Sequence, residues 1–233
     1  MTITISTASS AADRLGVAAL RYAVYVTEMG RRQRYADHIA RTISEPDDET
    51  AIILVAKDGD ETVVGTARVH LHSAIPSDYM AMYSIGLFGS YSPIGCSTTT
   101  KLIVASSFRR TRLPLRLSQA CYDLGISADV CFNFIDCNPN LRAFFTRLGF
   151  RQLLPDFEHE DYGRVSPLVL ALRDYEHLKR IRSPLLYPKD RGVHASVAFF
   201  QLLSTKHGPG ITKCNQSRPS RTQPAQVIPS FRI

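Results

Sequence analysis

The chain has 233 residues, 44% of them hydrophobic, which suits one domain with extensions or two small ones and provides for a sizeable core. The net charge is +7, and five basic residues with no acid (Lys206, Lys213, Arg218, Arg221, Arg232) fall in residues 204–233, so the excess marks a solvated tail more than a nucleic-acid-binding domain. No apolar run approaches the roughly 20 residues of a membrane span, and five cysteines without a CxxC pair argue for free thiols in a reducing cytoplasm and against a disulfide frame or a zinc site.

Met1 to Ser10 is rich in Ser and Thr and lacks a basic region followed by an apolar stretch, which argues against a signal peptide. Ala11 to Met29 reads as a helix, with Leu15, Ala19, Tyr22 and Val26 near helical spacing and Gly30 as its stop. Arg31 to Thr42 is polar and basic with a weaker helical pattern. Glu45-Pro46-Asp47-Asp48 is an acidic loop. Ala51 to Lys57 and Thr62 to Leu71 form a hairpin around Asp58-Gly59-Asp60. His72 to Ser97, rich in Gly, Ser, Tyr and Pro, gives no clear period.

Thr98 to Ala105 is a strand. Leu113 to Leu124 is a helix in which Pro114 suits the first turn. Val130 to Asp136 is a strand, Asn140 to Leu148 a helix, Val165 to Arg173 a last strand, and Tyr175 to Arg180 starts a helix. The order predicts a mixed α/β domain. The expected division is an N-terminal extension (1–10), the domain (11–185), a C-terminal extension (186–203) and a basic, disordered tail (204–233).

Asn138-x4-Ala143-x-Phe145-x3-Gly149-Phe150 resembles the strand-turn-helix near the end of the GNAT (N-acetyltransferase-like) fold, and Val63 to Val69, VVGTARV, resembles its second hairpin strand. Arg21 and Tyr25, the acidic Asp47 and Asp48, and Arg68 in Gly-Thr-x-Arg resemble the N-terminal half of acyl-homoserine-lactone synthases and N-acyl amino acid synthases. His159 to Pro184 resembles the FeeM-like N-acyl amino acid synthases in particular. The resemblance spans roughly residues 15 to 185. It implies a single GNAT-like domain, with a central mixed, mostly antiparallel sheet flanked by helices. It also implies an N-acyltransferase that moves a long-chain acyl group from an acyl carrier protein thioester to the amine of an amino acid. No cofactor is expected to be bound; the donor is acyl-phosphopantetheine on the carrier. The alternatives are a homoserine-lactone synthase, an acyl-CoA N-acetyltransferase, and a catalytically inert carrier-binding protein.

Two departures from the family pattern matter. Coenzyme-A-dependent members have an R/Q-x-x-G-x-G/A loop whose backbone N–H groups meet a pyrophosphate. Here Arg112 stands for the first Gly, and Pro114, which has no N–H, for the second. Arg109, Arg110, Arg112 and Arg116 surround that position and suit one phosphate and an acidic carrier; the other reading is a solvated basic helix start. Phe145 stands where many acetyltransferases carry a tyrosine acid, and a phenyl ring cannot protonate a leaving thiolate.

Acylation needs a neutral amine, a polarised carbonyl and a fixed geometry. Arg21, Arg68 and Lys101 are candidates to hold an acceptor carboxylate, with an ordinary ion pair as the alternative for each. Asp48 and Glu28 are candidates for the base, acting through water. Phe132 and Phe134 share a strand face and are candidates to line an acyl tunnel, with core packing as the alternative. Each buried CH₂ contributes about 0.8 kcal/mol, so selection by chain length is within physical reach.

Overall fold

The computed structural model describes residues 2–186. Residues 187–203 of the expected C-terminal extension, the basic tail and Cys214 lie outside the described residues.

In chain order the elements are β1 (Thr4–Thr7), α1 (Ala11–Tyr22), β2 (Ala36–Asp37), β3 (Thr42–Ile43), β4 (Ile52–Lys57), β5 (Val63–Leu71), α2 (Ser77–Met82), β6 (Cys96–Val104) and α3 (Leu113–Ser127). There follow β7 (Phe132–Cys137), α4 (Arg142–Leu148), β8 (Arg151–Gln152), β9 (Phe157–His159), β10 (Gly163–Ala171) and α5 (Tyr175–Arg180). The eight-stranded sheet runs β1-β4-β5-β6-β7-β10-β8, with β9 paired to β10. Neighbours are antiparallel except β6 and β7, which are parallel. This is the mixed, mostly antiparallel α/β architecture expected. The sheet edge, β1, comes from the ten residues read as an N-terminal extension.

Ser10 caps α1: its hydroxyl accepts the Asp13 N–H at 3.0 Å, and the Asp13 carboxylate accepts the Ser10 N–H at 3.2 Å. The helix passes into a π-helical turn, Ala23–Glu28, and stops at Gly30, whose φ of 65° favours glycine. Beyond it the chain departs from the expected weak helix. Residues 31–43 form turns and the small β2–β3 ribbon, because a dozen largely polar residues offer no apolar face to hold a helix against the sheet.

One core lies between the sheet and α3, where Leu117 and Leu124 meet Leu54, Ala67, Ile135 and Leu170. On a second apolar cluster, α2 and the short helical turns of residues 72–91 cover Phe134 and Val169. Gly149 ends α4 with φ 117°, and a Cβ there would stand 2.4 Å from the Leu178 side chain. Phe150 then enters the core and its N–H bonds back to the Phe145 carbonyl at 3.1 Å. The Gly-Phe pair is therefore a left-handed cap followed by an anchor.

Candidate active site

The parallel ladder of β6 and β7 lasts only from Cys96 with Phe132 to Thr98 with Phe134. Beyond it the strands splay. The register of β6 against β5 also shifts between Thr66/Ile103 and Arg68/Thr100, and Lys101 at this bulge has φ 52°. A side-chain-bearing residue in that region marks strain that the surrounding structure must hold. Into the splay opens a cavity of about 340 Å³, lined by Thr99–Val104 of β6, Ile135–Cys137 of β7, Tyr25, Tyr79, Tyr162 and Phe145, among others. β6 residues on this side face the cavity where a partner strand would otherwise sit, so backbone groups are available to a bound carbonyl.

A smaller space of about 20 Å³ lies deeper, lined by Cys121, Leu148, Leu170 and Leu185. Thr99, Leu102, Ile135 and Phe145 line both spaces. The wall between them is thus a few side chains, and the deeper one is largely apolar.

Beside the cavity sits a buried charge network. Arg21, 1% exposed, donates to both Asp48 oxygens, at 2.6 and 3.0 Å. Arg68, fully buried, donates to Glu45 at 2.6 Å, Asp48 at 3.3 Å, Thr100 Oγ1 at 3.0 Å and Tyr79 Oη at 2.8 Å. Lys101 Nζ is 2.6 Å from the other Glu45 oxygen and also hydrogen-bonds the Tyr162 hydroxyl. Burial alone would raise the Glu45 and Asp48 carboxyls; the Lys101 and Arg68 charges on the first, and Arg21 on the second, more than offset it and hold both below the usual carboxylate range. Burial pushes the Lys101 amine down despite Glu45. Its ammonium lies 4.5 Å from the Tyr162 ring centroid and 5.3 Å from that of Tyr25.

The structure distributes the sequence-derived candidates unevenly. Lys101, Phe145 and Arg109 line the cavity. Arg21 and Arg68 do not: Arg21 is paired with Asp48, and Arg68 with Glu45 and Asp48, which is the ion-pair alternative, although Arg68 reaches the cavity through Tyr79. Asp48 is a correction to the expected base. Both its oxygens accept from guanidinium groups and one also accepts the Glu45 N–H at 3.0 Å, so it anchors the acidic loop and does not line the cavity. Glu28 does not line it either; it is an exposed partner of Arg109, with one contact at 2.7 Å. Phe132 and Phe134 are a second correction. They pack under the residue 72–91 turns, Phe132 against Phe88 and Tyr91, and Phe134 against Phe88 and Tyr83. Their strand alternation is as expected, but both rings are taken up by this core, and on the same strand face it is Asp136, two residues on, that lines the cavity.

At the start of α3, Arg110 and Arg112 are exposed, and Arg116 donates to the Ile3 carbonyl at 2.9 Å. The Leu113 N–H is already taken by Thr111 Oγ1 at 3.1 Å, and Pro114 has none. Two of the amides that would cradle a pyrophosphate are therefore missing. Cys137, at the end of β7, lines the cavity but is buried, which pushes its thiol up to about 12.

Sequence reasoning missed Asp136, Arg31, Tyr83 and Tyr162. Asp136 was visible as the charge closing an apolar strand, a position that lands in the splay; the other three depend on long-range folding. Tyr83, fully buried, donates its hydroxyl to Asp136 Oδ1 at 2.5 Å. Asn138 accepts from Arg31 at 3.3 Å and donates to the Tyr162 and Arg164 carbonyls at 3.3 and 3.2 Å, tying the end of β7 to the β9–β10 turn.

Among solved structures, the FeeM N-acyl amino acid synthase from uncultured soil microbes is 13% identical, with a TM-score of 0.59, over 75% of this chain and 93% of that one. The CoA-dependent acyl-homoserine lactone synthase BjaI, with SAM and isopentyl-CoA, is 20% identical with a TM-score of 0.59, over 78% and 90%. A protein assigned as an N-acetyltransferase from Lactobacillus plantarum is 17% identical with a TM-score of 0.55, over 74% and 99%. At these identities the likeness is one of fold, that of the GNAT-like acyltransferases. No curated protein sequence matches the chain. No helix among the described residues is long and apolar enough to cross a membrane. The family described as N-acyl amino acid synthase FeeM matches residues 16–174, a span that includes the splayed strands β6 and β7 and the other residues lining the cavity, and the chain belongs to that N-acyltransferase family.

Proposed function

We propose that the protein transfers a long-chain acyl group from the phosphopantetheine thioester of an acyl carrier protein to the amine of an amino acid, in the cytoplasm. The observation that carries this reading is the cavity in the β6–β7 splay with its apolar continuation toward α3. The thioester carbonyl lies against the free edge of β6, where backbone N–H groups stabilise the oxyanion of the tetrahedral intermediate. The acyl chain runs past Leu102, Ile135 and Phe145 toward Leu185. The phosphopantetheine arm leaves toward Arg109 and the start of α3.

The start of α3 supports the choice of donor. With the Leu113 N–H occupied and Pro114 lacking one, the helix start is poorly equipped for a pyrophosphate. The exposed Arg110 and Arg112 instead suit a single phosphate and the carboxylates of a carrier. Phe145 has no proton to give, so the thiolate leaves without a dedicated tyrosine acid, which a thiol pKa of about 8.5 permits.

The test is kcat/KM for one acyl group presented on acyl carrier protein and on coenzyme A. The carrier is expected to be the better donor by at least tenfold. Arg112→Gly with Pro114→Gly should raise KM for the carrier, about 10- to 150-fold for the loss of a charged hydrogen bond, and less so at high salt. Equal or better use of the coenzyme A thioester refutes the donor assignment.

A further inference from the structure

We infer that Asp136 and Arg31 form the acceptor subsite: the Asp136 carboxylate receives the proton of the attacking amine, and the Arg31 guanidinium holds the acceptor's α-carboxylate. The inference rests on the acyl-transfer reading above and assigns residues to it.

Asp136 sits where β7 has left β6, and it lines the cavity. One of its oxygens, Oδ1, accepts from Tyr83. Oδ2 has no hydrogen-bond partner and the carboxylate no ion pair among the described residues. Asp48, by contrast, is saturated by two arginines. Tyr83 is fully enclosed, and burial together with the Asp136 charge raises its hydroxyl well above the usual value, so it stays a donor and fixes the carboxylate. A positioned carboxylate with a free oxygen in a cavity of an amide-forming enzyme is suited to general-base work.

Arg31 follows the left-handed Gly30, and its N–H bonds the Tyr25 carbonyl at 2.9 Å, which turns the residue into the cavity. It has no acidic partner among the described residues; its contacts are Asn138 Oδ1 and the Tyr162 ring, 5.9 Å to the centroid. The other cations lining the cavity are neutralised, Lys101 by Glu45 and Arg109 by Glu28. Asn138, which accepts from Arg31, lies two residues beyond Asp136, and all three line the same cavity, so an α-amino acid held there can present its amine to one side chain and its carboxylate to the other.

The step balances. The neutral amine's lone pair forms the C–N bond at the thioester carbonyl carbon, and the nitrogen's proton passes to Asp136 Oδ2. The C–S bond then breaks with its electrons on sulfur, and the thiolate takes a proton from the protonated Asp136 or from water.

The experiment uses the full chain and the standard amino acids as probes. For the one acylated fastest, it adds the amine left by decarboxylation. Arg31→Gln should lower kcat/KM for the amino acid about 10- to 150-fold through KM, leave the decarboxylated amine within threefold, and leave the donor KM unchanged. Asp136→Asn should lower kcat for both acceptors about 10²- to 10⁴-fold. Tyr83→Phe should give a smaller loss of kcat and leave KM for both acceptors and for the donor unchanged. Equal loss for both acceptors in Arg31→Gln, a raised donor KM there, or unchanged kcat in Asp136→Asn overturns the subsite. A wild type that acylates no amino acid from either donor overturns the parent reading; an active wild type with indifferent variants overturns this inference alone.

Discussion

Asp48→Asn removes one charge from the buried network and leaves the shape of the side chain. Arg21 then keeps a guanidinium 1% exposed to solvent without the carboxylate that took two of its donors at 2.6 and 3.0 Å. Breaking a buried pair from one side costs about 3–5 kcal/mol, because the remaining charge stays desolvated. In a domain of this size each kcal/mol lowers Tm by about 2–4 °C, so the drop should be about 6–20 °C. Thermal and urea melts followed by circular dichroism measure it. The double variant Arg21→Met, Asp48→Asn removes the stranded charge and should recover part of the loss. Activity should fall with stability in the single variant, since Asp48 helps hold Arg68, and Arg68 holds Tyr79 at the cavity. A single variant within 2 °C of wild type, or a double variant whose loss is the sum of the two, refutes the assignment of Asp48 as the anchor of this network.

The same network predicts the direction of acid unfolding. Glu45 and Asp48 have folded-state values below their unfolded ones of about 4.3 and 3.9, so the unfolded chain binds protons first as pH falls. Their contribution is present above pH ~4 and is lost below it; urea melts from pH 7 to 3 should show it, and a flat profile would contradict it. Phe145→Leu thins the wall between the two cavities and should move preference toward acyl chains about two carbons longer, each CH₂ contributing about 0.8 kcal/mol or roughly fourfold. Competition among mixed chain lengths on one carrier measures this, and an unchanged profile removes Phe145 from chain selection.

What was legible in the sequence is what local chemistry writes there. The β4–β5 hairpin follows from two largely apolar, β-branched runs on either side of an Asp-Gly-Asp turn, and Gly149-Phe150 from a helix stop that needs a left-handed residue. Arg21, Asp48 and Arg68 stood out through a family pattern, and they do meet; that all are consumed by one another is a tertiary fact, set by burial that no spacing encodes. Asp136, Tyr83 and Arg31 lie on β7, a helical turn and the segment after Gly30, and only the splay of the sheet gathers them. Phe132 and Phe134 share a face by the period of a strand, but whether their rings meet the cavity depends on what residues 72–91 cover. That segment gave no period because it is built of helical turns too short to show one. Residues 31–43 misled because basic residues tolerate a helix without requiring it.

The central claim is amide formation between a fatty acyl group and an amino acid. Mass spectrometry of the products made by the purified full chain from acyl carrier protein thioesters and a mixture of amino acids tests it most directly. The account predicts N-acyl amino acids with a free carboxylate and release of the carrier's thiol in equal amount. Lactone products, or thiol release with only free fatty acid, would contradict it.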